Sequence, residues 1–76
     1  MMNMQAKTFS TECPLTERHL VVIRQLADGM EYPEIATSLG CSTMGVGRRV
    51  WQAYDATGTY NRHGLVAMAF RKGWIQ

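Results

Sequence analysis

Four glycines punctuate the chain, and each closes a stretch whose apolar residues recur at helical spacing. Gly29 follows "TERHLVVIRQLAD", Gly40 follows "PEIATSL", Gly58 follows "TMGVGRRVWQAYDAT" and Gly73 follows "RHGLVAMAFRK". A glycine just past a helix takes the left-handed conformation without the steric cost that other residues meet there. The segments between these stops are too short for a long coiled coil, and none alternates as a strand does. The starts are marked as well. Thr16 is a good N-cap before Glu17, Pro33 suits the first turn of a second helix, Ser42 or Thr43 caps a third, and Asn61 caps a fourth. The pattern predicts helices over about 17–28, over "PEIATSL", over 43–56 and from 62 towards Gly73, and hence an all-α, four-helix fold.

The apolar positions name a core. Leu20, Val22, Ile23, Leu26 and Ala27 share the first helix, and Ile35, Ala36 and Leu39 the second. Val46, Val50, Ala53 and in part Tyr54 follow i, i+4, i+7 and i+8 in the third, and Leu65, Val66, Ala69 and Phe70 line the fourth. A chain of 76 residues makes one small domain with a thin core. Residues 1–14 carry no period and read as a flexible arm ending at Pro14, with the folded domain over 15–76. No apolar run is long enough to span a membrane, and the N-terminus has no secretory h-region. Two cysteines are too few for a disulfide scaffold, so Cys13 and Cys41 read as free thiols of a cytoplasmic protein. His19 and His63 stand at no metal-finger spacing, and His19 reads as a surface or capping residue.

The net charge is only +2, but it is unevenly spread. Residues 1–42 hold three basic and five acidic side chains, and residues 43–76 hold five basic and one acidic. A basic half on a small domain points to a polyanion such as duplex DNA. The third helix is where that charge meets the surface. With Val46, Val50 and Ala53 turned inward, Met44, Gly47, Arg48, Trp51, Gln52 and Asp55 face outward. Gly45 and Gly47 each weaken this helix by about 0.8–1 kcal/mol relative to alanine, so packing or a partner must hold it. Arg48 is placed to fork onto guanine or grip phosphate. Arg49 lies nearer the flank, where a phosphate contact competes with an ion pair to Asp55 or Glu34. Trp51 has three readings: against a sugar or thymine methyl, as an anchor for a protein partner, or folded back over the second helix. No nucleophile–base pair, paired carboxylates or phosphate-cradling loop marks a catalytic site, and no cofactor or metal is implied.

Two helices joined by a short glycine-containing turn, over "EIATSLGCSTMGVGRRVWQAY", have the form of a helix-turn-helix. Beyond it, Leu15, Thr16 and Arg18, Val22 and Ile23, Ala27 and Gly29, Glu34 to Leu39, Ser42 and Val46, Val50, Gly58, Asn61 and Arg62 and the final "GWI" stand in ordered, ungapped spacing. With these residues the chain resembles, over Leu15 to Ile75, the DNA-binding domain of LuxR-type regulators, the family that includes GerE and NarL/FixJ. The resemblance implies a four-helix domain whose third helix reads the DNA major groove and whose fourth often pairs in a dimer. It implies a stand-alone transcription regulator that binds double-stranded DNA as a weak homodimer. Thr43, Met44, Gly47, Arg48, Arg49, Trp51 and Gln52 would face DNA, and Gly64, Ala67, Met68 and Arg71 would form the dimer contact. The chain departs from the family in the reading helix, where threonine, valine, lysine, any residue and histidine become Gly45, Val46, Gly47, Arg48 and Arg49. The glutamate that usually follows Arg18 is His19. These departures keep a second reading open: a protein-interaction module, anti-activator-like, that holds the fold and binds another transcription regulator.

Overall fold

The computed structural model describes residues 13–76, so nearly all of the expected arm lies outside the described residues. Four helices run in order, α1 (Glu17–Ala27), α2 (Tyr32–Leu39), α3 (Thr43–Thr57) and α4 (Arg62–Arg71), and the described residues contain no strand. The all-α, four-helix expectation holds, with boundaries within one or two residues of those read from the sequence.

All four helices end by the same device. Gly29, Gly40, Gly58 and Gly73 have φ of +85°, +70°, +73° and +74°. The next residue's N–H then reaches back five positions: Met30 to Gln25 O at 3.1 Å, Cys41 to Ala36 O at 3.0 Å, Thr59 to Tyr54 O at 3.1 Å and Trp74 to Ala69 O at 2.8 Å. This is the 6→1 bond of a Schellman motif, which satisfies a carbonyl the helix itself leaves open. The starts are equally local. Ser42 Oγ accepts from the Gly45 N–H at 2.9 Å, and Asn61 Oδ1 from the Gly64 N–H at 2.8 Å. Of the two expected caps for α3, Ser42 is the one used. On α2 the Glu34 carboxylate accepts from the Glu31 N–H at 2.8 Å.

The core is built where the four helices meet. Val22, Ile23 and Leu26 of α1, Ile35 and Ala36 of α2, Val46, Val50 and Ala53 of α3 and Leu65 and Ala69 of α4 are buried, with Leu15 and Ile75 closing it from either flank. α3 packs on α1 and α2, and α4 packs chiefly on α1. The i, i+4, i+7 stripe of α3 is thus spent on the core, which leaves its opposite face to solvent. Phe70 corrects the expected core: it is 50% exposed, because α4 buries only a narrow stripe and Phe70 lies about 100° round from Ala69. No helix among the described residues is long and apolar enough to cross a membrane. Cys13 and Cys41 are free and half-buried.

Candidate nucleic-acid interface

α2 and α3 are joined by three residues, Gly40 to Ser42, which turn the chain while Gly40 supplies the left-handed corner. This connection is the form of a helix-turn-helix. On the solvent side of α3, Thr43, Met44, Arg48, Trp51 and Gln52 are exposed, as their phase relative to Val46 and Val50 requires. Met44 and Trp51 are 75% and 68% exposed. Trp51 leans edge-on against Tyr54, with ring centroids 5.5 Å apart and planes at 78°. It therefore does not fold back over α2. Burial, with Tyr32 adding to it, pushes the Tyr54 hydroxyl above the usual tyrosine range, while Arg62 pulls it the other way.

One of the expected outward residues, Gly47, sits differently, while Arg49 keeps to the expected flank. Gly47 is half-buried, because the ring of Tyr32 on α2 lies over it: a Cβ there would stand 3.7 Å from Tyr32 Cε2. Arg49 is half-buried on the flank, with Nη1 4.0 Å from Cys41 Sγ. Neither Asp55 nor Glu34 pairs with it; the ion pair among the described residues is Arg62 with Glu31.

Two surface hollows flank Arg48, which borders both. The first, about 590 Å³, lies between the start of α1 and the face of α3 and is lined by Thr16, Glu17, Arg18, His19, Gly45, Arg48, Arg49 and Gln52. Three arginines against one carboxylate, Glu17, line it at the positive end of α1, a balance that suits a phosphate backbone. The second, about 720 Å³, is lined by Tyr32, Thr43, Met44, Gly47, Arg48 and Trp51. Its wall is mostly side-chain carbon.

His19 ties the first hollow together. The Thr16 N–H donates to His19 Nδ1 at 3.1 Å, so that nitrogen is an acceptor. The ring proton then sits on Nε2, which donates to Gln52 Oε1 at 2.9 Å. Gln52 is left with its amide N–H₂ turned to the surface, as a donor. The Thr16 Oγ1, for its part, accepts from the His19 N–H at 3.5 Å. These contacts make a capping box in which an imidazole does the work usually given to a carboxylate. The same ring spans from α1 to α3 and donates there, which a carboxylate cannot do. The contributions of Thr16, Arg18, His19 and Tyr32 to this surface were not evident from the sequence. The signal for His19 was present, since it stands three residues after an N-cap threonine. The others needed the crossing of α1 and α2 against α3. On the far side of the domain, Ala67 and Arg71 are exposed on α4, Met68 is half-buried, and Gly64 is turned toward its own cap at Asn61.

Over 62 residues, 82% of the chain, the sequence is 34% identical to the transcriptional regulatory protein YdfI of Bacillus subtilis (strain 168), and it spans 29% of that protein's length. No family model matches the chain. No solved structure matches it.

Proposed function

We propose that the chain is a DNA-binding transcription regulator whose folded domain, residues 15–76, is of LuxR type. α3 lies in the major groove of duplex DNA, with Thr43, Met44, Arg48, Trp51 and Gln52 toward the bases, Gly47 letting the backbone come close, and Arg49 on the phosphate backbone. The observation that carries this reading is the exposed face of α3 behind a three-residue turn, with Arg18, Arg48 and Arg49 gathered around it. The similarity to a transcriptional regulatory protein over most of the chain supports it. The test is a gel shift with random duplex at low salt, followed by a salt titration. Binding is expected to weaken linearly in log–log form, because each phosphate contact releases counterion. Arg49→Ala is expected to weaken all sequences alike and to reduce the salt slope by about 1. Salt-insensitive binding, or none, removes the reading.

Pairing through α4 belongs to the same proposal. Ala67 and Arg71, joined by the exposed ring of Phe70, form its outer edge, with Met68 and Gly64 behind. A contact built on one short helix buries on the order of 1,000 Å² or less in total, so the dimer is weak without DNA. Sedimentation at rising concentration is expected to show monomer giving way to dimer, and Ala67→Glu to abolish it by setting like charges together. A dimer that survives Ala67→Glu pairs elsewhere.

One observation favours a second reading, a module that binds another regulator protein. Met44, Trp51, Tyr60 and Phe70 are large apolar side chains left on the surface, and tryptophan, methionine and arginine are the residue types enriched at protein interfaces. On this reading the gel shift is blank and the salt titration has nothing to follow.

A further inference from the structure

Gly47 stands about one turn inside α3, where glycine weakens a helix. Nothing in the packing demands it. Its backbone has ordinary helical φ, and the nearest atoms to an added Cβ are 3.7 and 3.9 Å away on the Tyr32 ring, normal van der Waals contact. What a side chain at this position would do is fill the second hollow. Gly47, Tyr32, Thr43, Met44 and Trp51 line it together with Arg48. The hollow is therefore an open apolar seat beside a guanidinium group.

We propose that this seat receives the C5-methyl group of a pyrimidine, so that α3 selects a methylpyrimidine followed by guanine. The proposal rests on the DNA reading above and specifies what that face recognises. The thymine methyl is the apolar feature of the major groove, whereas the other base-edge groups there are donors or acceptors. Arg48 has the fork that matches the O6 and N7 of guanine. The base on the 5′ side of that guanine lies about 3.4 Å further along the strand. On this proposal its C5 substituent meets the hollow that Arg48 borders. Thymine and 5-methylcytosine both carry the group; uracil and cytosine do not.

The test begins by selecting preferred duplexes from a random library at low salt with the wild-type protein. The selected duplex is then remade with uracil for thymine, and with 5-methylcytosine or cytosine at the same place, keeping the guanine. The expected result is a thymine 5′ of a guanine in the selected set. Uracil is expected to bind about fourfold more weakly per methyl lost, the worth of one buried CH₂. 5-Methylcytosine should bind more tightly than cytosine if the shared methyl is what is read; a thymine preference without that difference assigns the site to thymine alone. Trp51→Ala and Gly47→Leu, with folding verified by circular dichroism, are expected to bring the thymine-to-uracil ratio to about one, whatever they do to the overall affinity. Equal wild-type affinity for thymine and uracil duplexes overturns the inference and leaves the DNA reading standing. So does a ratio that survives both substitutions. Absence of duplex binding at any salt overturns the DNA reading and this inference together, and leaves the surface to a protein partner.

Discussion

Arg48→Ala is expected to weaken binding to a preferred duplex by ~1–3 kcal/mol and, unlike Arg49→Ala, to flatten the preference among sequences. The difference follows from position. Arg48 is exposed at the middle of the outward face and borders both hollows, whereas Arg49 is half-buried on the flank beside Cys41. On the proposed DNA reading, an arginine in the first place is aimed at base edges, where a bidentate pair with guanine carries sequence information, and one in the second at the backbone. Arg48 is also free of ion pairs among the described residues, so its removal leaves no buried partner behind and costs the fold little. A loss of affinity without loss of stability is therefore the expected signature. The measurement is a competition series against a preferred and a scrambled duplex at one fixed salt, with the melting temperature of each protein alongside. If Arg48→Ala reduces both affinities by the same factor, Arg48 is a phosphate contact and the base-reading role moves to Gln52. That side chain is already held by His19, and its amide N–H₂ suits the N7 or O6 of a purine.

The local signals in this sequence were strong because each element carries its own start and stop. Thr16, Ser42 and Asn61 act as caps, and the four punctuating glycines are the residues that turn left-handed. Such features depend on neighbours within five residues, so they can be read without the fold. The inner stripe of α3 was readable for the same reason, since Val46, Val50 and Ala53 fix its phase. What escaped were contacts between elements. Phe70 matched the period of α4 but lies off its stripe, because α4 meets only α1 closely and has no third layer to cover it. Gly47 was in phase with the outward face, yet the Tyr32 ring lies over it. That depends on how α2 crosses α3, which no spacing within α3 reveals. His19 looked like a capping histidine and is one, but its second nitrogen reaches Gln52, 33 positions away.

Arg62 is a further contact of that kind, and its removal is the substitution expected to damage the fold most among those at the surface. α4 buries only Leu65 and Ala69, so its apolar stripe is too narrow to fix its position well. Arg62, the first residue of α4, supplies the missing anchor. Its Nη2 donates to Met30 O at 2.7 Å and to Leu26 O at 3.3 Å, and its Nη1 lies 3.5 Å from Glu31 Oε1. The two carbonyls belong to the end of α1 and the loop after it, and Leu26 O accepts from the Gly29 N–H as well, at 2.9 Å. Glu31 is 73% exposed on its side chain, so the ion pair adds little through solvent screening, and the bonds to carbonyl oxygen are the ones that matter. Hydrogen bonds from a charged donor contribute about 1.5–3 kcal/mol, and a domain of this size has only a few kcal/mol to lose. Arg62→Ala is accordingly expected to lower stability by about 2 kcal/mol, a fall in melting temperature on the order of 10 °C. Glu31→Gln should change it by less than about 1 kcal/mol. Arg62→Lys should recover less than half of the loss, since one ammonium on a flexible stem cannot hold two carbonyls in the fixed geometry of the guanidinium fork. Thermal melts followed by circular dichroism measure all three. If Arg62→Ala and Glu31→Gln melt together, close to wild type, the carbonyl bonds contribute nothing and Leu65 and Ala69 alone hold α4. If lysine restores the full stability, a point charge at the end of α1 is sufficient, and the stabilisation comes from the helix dipole rather than from the fork.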